Sequence, residues 1–272
     1  MHKFKSLGTE TNILMDSFLA NIVEKDEYIV IRTPERLNYF WGNYILMKDP
    51  PSRGDYEQWV NIFDSEIGKR TERGYCAITF DLGVNETFDI SEFLEDGFRV
   101  EVDKILTTNK VVEPIKLNSE LIIKEYDLSK NIDSYVAVHF DESWAYGNED
   151  EQKEFLREQA IEFSSLVDKN VAKRFGGYLN GKLATDLGIY WNDNVIRFNS
   201  ISTHPSFRRL GACSTLVYKV SKNLLEKDPS KTLVMQADED YHAALIYESI
   251  GFVPREKVVA IEWKDDSKFG ND

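Results

Sequence analysis

Between a proline and an apolar-periodic run, the segment HPSFRRLGACSTLV (His204 to Val217) places Arg208 and Arg209 just ahead of Gly211, with the small Ala212 beside it. A loop that leads into a helix presents backbone N–H groups with no intrahelical acceptor, at the positive end of the helix dipole. Glycine lets such a backbone approach a phosphate closely, and arginine can bind two phosphate oxygens at once. The residue types therefore suit a phosphate or pyrophosphate cradle. The common nucleotide loops are not present: there is neither GxxxxGK followed by Ser or Thr nor GxGxxG after a strand.

The elements around this loop are legible from periodicity. Val195 to Thr203 (VIRFNSIST) reads as a strand that ends before Pro205. After the loop, Cys213, Leu216, Val217, Val220 and Leu224 recur at the spacing of one helical face, and Asp228-Pro229 stops the helix. A strand over Thr232 to Ala237, a short helix ending in Gly251-Phe252 and an extended run from Lys257 to Trp263 complete the series.

The first half of the chain runs in the same order. A strand over Asn38 to Met47 leads to Pro50-Pro51, and Tyr56, Trp59, Val60, Phe63 and Ile67 repeat the helical spacing. The strand Tyr75 to Phe80, the helix Ser91 to Phe98 and the run Val100 to Thr107 follow. This order predicts two related α/β units, residues 1–115 and 116–272, with a junction near VVEPIKLNSE (Val111 to Glu120). The alternative is two unrelated mixed units that share amphipathic spacing. Only the second half has the longer loop, which carries FRRLGA; the first offers SRGD, with one arginine and a helix that begins at once.

Composition excludes several classes. The chain is 42% hydrophobic and 12% aromatic, which predicts a folded core rather than disorder. A net charge of −14 repels phosphate backbones, so nucleic acid is not an expected partner. Two cysteines, Cys76 and Cys213, and four histidines without ligand spacing give no metal site or disulfide framework. With no apolar run of membrane length and no hydrophobic signal core, the expectation is a cytoplasmic protein without membrane contact.

The loop residues THPSFRRLGAC resemble the acetyl-CoA loop of the GNAT superfamily of N-acetyltransferases, Q/R-x-x-G-x-G/A, with Arg208 at its first position and Gly211 at its fourth. Cys213 stands where that pattern has glycine or alanine. DYHAALIYESIGF (Asp240 to Phe252) resembles the second signature, N-x-x-A-x-x-L-Y-x-x-x-G-F, through Ala243, Tyr247, Gly251 and Phe252, with Asp240 in place of asparagine. The resemblance covers about Leu121 to Trp263, including an Asn180-Gly181 hairpin. The first half resembles a degenerate copy that keeps Gly97-Phe98 and lacks the loop.

The resemblance implies an α/β fold of two GNAT-like units, each a mixed central sheet flanked by helices, and acetyl-CoA as co-substrate. Backbone groups of Ile201 and Thr203 would pair with the pantetheine arm, which Asp240 would also meet. The N–H groups of Arg209, Leu210, Gly211, Ala212, Cys213 and Ser214 would cradle the pyrophosphate. Tyr247 would lie near the thioester and protonate the leaving thiolate. Glu142, Trp144 and Tyr146 would border the acceptor, a primary amine of a small molecule or peptide, although a solvated loop with aromatic anchors is an equal reading of that segment. The base is left open among Asp141, Glu142, Asp186, Asp238, Glu239, His139 and His242. A non-catalytic acyl-CoA-binding or regulatory protein is the alternative function, and self-association to a homodimer stays open.

Overall fold

The computed structural model describes residues 2–37, 39–140, 148–239 and 243–265. Along the chain the elements are α1 (Leu7–Leu19), β1 (Asn21–Glu24), β2 (Tyr28–Arg32), β3 (Tyr44–Met47), α2 (Tyr56–Glu66), α3 (Arg70–Arg73), β4 (Tyr75–Phe80), α4 (Ser91–Glu95) and β5 (Arg99–Thr108). Then come β6 (Ile122–Glu125), α5 (Ile132–His139), α6 (Glu149–Asp168), β7 (Ala172–Leu179), β8 (Lys182–Trp191), β9 (Val195–Thr203), α7 (Ala212–Lys227), β10 (Thr232–Asp238), α8 (Ala243–Glu248) and β11 (Val253–Lys264). They pack into two compact units: Met1–Ile105 with Ala237–Asp240 and Arg255–Asp272, and Leu106–Gln236 with Tyr241–Pro254.

In unit 1 the strands lie in the order β1-β2-β3-β4-β11-β5. β3 and β4 are parallel, with Ile45 to Met47 opposite Ile78 to Phe80. All six residues of β4 (YCAITF) are buried, as expected of a strand covered on both faces. Against it α2 lays Trp59, Val60 and Phe63, the predicted helical face, with Ile67 just beyond. The extended run near the C-terminus, which the order of elements places with the second half, pairs antiparallel with β4 in this unit, from Val259 opposite Phe80 to Lys264 opposite Tyr75.

The predicted strand over Asn38 to Met47 needs correction: among the described residues of that span only Tyr44–Met47 is strand, and Phe40–Gly42 is a 3-10 turn. Asn43 explains the difference. Its side chain accepts from the Thr33 N–H at 2.9 Å and donates to the carbonyls of Arg36 and Tyr39 at 2.8 and 2.9 Å. Those bonds close the segment on itself and leave it no ladder to join.

In unit 2 the strand order is β10-β9-β8-β7-β6. The pairs from β6 to β9 are antiparallel, and β10 runs parallel to β9. Asn180 and Gly181 turn the β7–β8 hairpin with φ of 51° and 75°, the left-handed pair that a type I′ turn requires. Helix α6 starts at an Asn148–Glu151 capping box and buries Leu156, Ala160, Phe163 and Leu166. The sequence also offers a helical stripe of Phe155, Gln159, Phe163 and Val167, but the buried face is turned from it by about one residue, and Phe155 is exposed.

Candidate acyl-CoA site

The site is built where β9 meets α7. The strand pairs with β10 only from Val195 to Arg197, opposite Thr232 to Val234, and its last six residues run on beyond that ladder. On its other edge β9 carries a bulge: Asp186 faces Ser202 and Gly188 faces Asn199, so Ser200 and Ile201 together oppose Leu187. Ser200 takes the left-handed conformation, φ 45°, to make this step. The result is a strand whose second half is free on the β10 side and kinked on the other. Among the described residues of unit 1 the matching strand shows no such opening: β3 stays paired with β4 to its last residue and Asp81 N–H extends the contact to the Met47 carbonyl at 2.9 Å.

After β9 a 3-10 turn, Pro205–Phe207, capped by the His204 side chain, leads into the loop. Arg209 and Gly211 are both left-handed, at φ 63° and 74°. A β-carbon at Gly211 would sit 3.1 Å from the Lys116 carbonyl, so the position requires glycine both for its dihedral and for its space. Residues of the junction pin the loop: Lys116 Nζ donates to the Arg209 carbonyl at 3.3 Å, and Asn118 Nδ2 to the Leu210 carbonyl at 2.9 Å. In a trans peptide the carbonyl and the following N–H point opposite ways, so these bonds aim the Leu210 and Gly211 N–H groups away from the junction. Helix α7 makes its first bond from Thr215 N–H to the Gly211 carbonyl at 3.1 Å. The N–H groups of Ala212, Cys213 and Ser214 therefore have no acceptor within the helix.

Side chains complete the geometry. Arg208 Nε donates to the Thr203 carbonyl at 3.2 Å, which brings this arginine onto the end of β9, and Leu210 is exposed. Ser214 Oγ donates to the Gly211 carbonyl at 3.2 Å. Cys213 is partly buried; desolvation pushes its thiol up to about 11 against a hydrogen bond with Thr203, so it is a neutral thiol at pH 7. Ile201 and Thr203 both lie in the half of β9 that β10 leaves unpaired.

Tyr247 is buried on α8, which packs against α7. Its carbonyl accepts from Phe252 N–H at 3.1 Å while Gly251 N–H bonds the Glu248 carbonyl at 3.0 Å. Unit 1 repeats that helix end: Phe98 N–H bonds the Phe93 carbonyl at 3.0 Å and Gly97 N–H the Leu94 carbonyl at 3.1 Å. The two glycines are left-handed, at φ 100° and 83°. Phe93 thus occupies in unit 1 the place of Tyr247, with the same ring and no hydroxyl. In the same unit the Gly54 N–H at the start of the α2 turn is taken by the Glu92 carboxylate at 2.7 Å, in an acidic cavity of about 460 Å³ lined also by Glu57, Glu95 and Asp96.

Beside the bulge lies a buried polar cluster. Asp186 on β8 accepts from Arg174 Nε on β7 at 2.8 Å and Nη2 at 3.1 Å, from the Tyr126 hydroxyl at 2.5 Å, and bonds His139 Nε2 at 2.6 Å. Arg174 Nη2 also donates to the Ser200 carbonyl of the bulge at 2.8 Å. Burial alone would raise Asp186, but Arg174 and then His139 hold it well below the carboxylate range. Burial pushes the His139 imidazole below its usual value against the pull of Asp186. Sequence reasoning named Asp186 and His139 only among many candidates and missed Arg174, Lys116 and Asn118. An arginine in the strand KRFGGYL was the available signal for the first; nothing local marks the other two, whose partners lie more than ninety positions away. Among the remaining base candidates, Asp238 closes β10 and the Glu239 carboxylate is held by Lys257 at 2.8 Å. Asp141, Glu142, Trp144, Tyr146, Asp240 and His242 lie outside the described residues.

Residues 191–261 match the family model described as FR47-like protein. Among solved structures, a GCN5-related N-acetyltransferase from Kribbella flavida aligns with a TM-score of 0.64 at 10% identity, over 94% of this chain and 95% of its own. A tandem GNAT protein from the clavulanic acid biosynthesis pathway aligns with a TM-score of 0.55 at 11% identity, over 82% and 75%. This is a two-unit GNAT-fold chain. A conserved protein of unknown function from Staphylococcus epidermidis shares the GNAT-fold chain's architecture over 90% of this chain and 94% of its own, with a TM-score of 0.73 at 15% identity. No curated protein matches its sequence. Among the described residues no helix is long and apolar enough to cross a membrane, and no group of His, Cys, Asp and Glu is arranged to hold a metal ion.

Proposed function

We propose that unit 2 transfers an acetyl group from acetyl-CoA to a primary amine of a small molecule or peptide by direct attack. The observation that carries this reading is the pinned loop at Gly211, whose N–H groups face away from Lys116 and Asn118 at the end of a strand that β10 leaves half unpaired. The free edge of β9 at Ile201 and Thr203 suits the pantetheine arm, and the N–H groups from Arg209 to Ser214 suit the pyrophosphate. Arg208 would have to leave the Thr203 carbonyl for that strand edge to be used in full.

In the reaction the unprotonated amine attacks the thioester carbonyl, the C–N bond forms and the C–S bond breaks. The departing thiolate takes a proton from the Tyr247 hydroxyl. Ordinary values of about 10 for a tyrosine and about 8.5 for a thiol make that donation nearly balanced. Phenylalanine at the matching place in unit 1, together with the Glu92 carboxylate on its loop N–H, favours unit 2 as the one unit that turns over.

A non-catalytic acyl-CoA-binding or regulatory protein is the second reading, favoured by Cys213 at a place where the cradle takes glycine or alanine. Tyr247→Phe separates the two. In a thiol-release assay with acetyl-CoA and a panel of primary amines, the transferase reading expects a loss in kcat of about 10²–10⁴-fold with acetyl-CoA affinity retained. Turnover unaffected by the substitution would end the proposed acid role.

A further inference from the structure

We propose that His139, held by Asp186, is the general base that takes the proton from the acceptor ammonium. This rests on the acetyl-transfer reading above and adds to it the group that the sequence left unassigned. The position carries the argument. His139 ends α5, immediately before the segment that precedes α6, and its ring stacks on Tyr135 with centroids 4.0 Å apart. Through Nε2 it lies 2.6 Å from Asp186 Oδ1 and 3.0 Å from Arg174 Nη2, and that same Nη2 bonds the carbonyl of Ser200. Through Asp186 Oδ1, which also accepts from Arg174 Nη2, the imidazole is therefore three hydrogen bonds from the bulge that opens β9.

The bonding also selects a tautomer. Asp186 is an ionised acceptor whose other oxygen is taken by Arg174 Nε and Tyr126, so the proton of the imidazole resides on Nε2. Nδ1 then carries the lone pair, and no hydrogen bond engages it among the described residues. Among the described residues the groups against the ring are Asp186 from β8, Arg174 from β7 and Tyr135 from α5 itself, while Tyr126, beyond β6, reaches the other oxygen of Asp186. Burial with Arg174 nearby keeps the ring neutral at pH 7, as a base requires. Asp186 steadies the imidazolium once formed, and Arg174 keeps Asp186 ionised.

The proton balance closes. The acceptor R–NH₃⁺ gives one proton to His139 Nδ1, its nitrogen forms the amide bond as the C–S bond breaks, and the second proton lost from nitrogen replaces the one that Tyr247 supplied to the thiolate. His139 then releases its proton to solvent.

Two measurements test this. In long-range ¹H–¹⁵N spectra of the whole protein at pH 7, His139 is expected as the neutral Nε2–H tautomer, and that signal should change in Asp186→Asn; an imidazolium or an Nδ1–H tautomer overturns the proposal without any acceptor being known. In thiol-release kinetics, His139→Gln should lower kcat/KM for tyramine about 10²–10⁴-fold at pH 7. That deficit should shrink as pH rises toward the amine's own pKa of about 10, as for a lysine amine. With hydroxylamine, which is already neutral at pH 7, the deficit should stay under about tenfold. An equal deficit with both nucleophiles at every pH, as a merely structural role gives, overturns it, as does a parental pH profile in the variant. Acetyl-CoA should protect His139→Gln against heat as well as it does the parent. If it fails to protect the parent, the acetyl-transfer reading itself is what has failed.

Discussion

Replacing Arg174 by methionine puts a number on the buried cluster. The guanidinium is 1% exposed, gives two hydrogen bonds to Asp186 and one to the bulge carbonyl of Ser200, and stands over the rings of Tyr135 and Phe163 at 4.7 and 5.2 Å. Methionine fills most of that space and keeps the contacts with the rings. What is lost is the compensation of a fully buried carboxylate, about 3–5 kcal/mol when one partner of a buried pair is removed, plus about 1 kcal/mol for the Ser200 bond. The single variant should therefore lose about 4–6 kcal/mol. Arg174→Met with Asp186→Asn removes the stranded charge, so the double variant should lose only about 1–2 kcal/mol and thus recover about 3 kcal/mol or more of the single variant's loss. The sign with pH follows from Asp186, which Arg174 holds low in the parent. Without the arginine, burial prevails and the carboxyl rises, so the single variant should gain more stability than the parent as pH falls from 7 toward 5. Urea unfolding followed by far-UV circular dichroism at the two pH values reads all of this. A cost under about 1 kcal/mol for Arg174→Met, or a double variant no better than the single, would refute the reasoning.

Two further predictions concern unit 1. Burial raises Asp16 to about 7 against the hydrogen bond from Tyr44, so its carboxyl is protonated when folded and ionised when unfolded over the range from about pH 4 to 7. Stability should accordingly fall as pH rises through that window, and Asp16→Asn should flatten the slope in thermal melts taken at pH 5 and pH 8. Asn43→Ala removes three hydrogen bonds and leaves the buried Thr33 N–H without an acceptor, so a loss of about 2–3 kcal/mol in urea unfolding is expected.

Periodicity was sufficient for most elements because each buries one face. The strand Val195–Thr203 and the strand Tyr75–Phe80 have the limits their apolar runs predict, and α2 packs on the residues its spacing selects. It misread Asn38 to Met47 because one asparagine side chain outcompetes the ladder, a three-bond choice that propensity does not register. It turned α6 by one residue since Leu156, Ala160 and Phe163 satisfy the same spacing as the stripe chosen. The site was half legible. Gly211 and Gly251 stand out by motif, and both prove left-handed and crowded by backbone, against the carbonyls of Lys116 and Lys110 at 3.1 and 3.0 Å. The groups that orient the loop were not legible, because Lys116 and Asn118 act on carbonyls, which carry no residue signature. The equivalence of Phe93 and Tyr247 emerged from matching hydrogen bonds at two helix ends rather than from matching letters.

The central claim is that the Gly211 loop binds acetyl-CoA, and thermal unfolding with and without that ligand tests it most directly. At about 100 times its dissociation constant, acetyl-CoA should stabilise the parent by about 2.7 kcal/mol. Gly211→Glu, whose β-carbon would press on the Lys116 carbonyl and push the loop out of its cradle, should retain its far-UV spectrum and show no shift. Absence of a shift in the parent, or an equal shift in Gly211→Glu, would contradict the account.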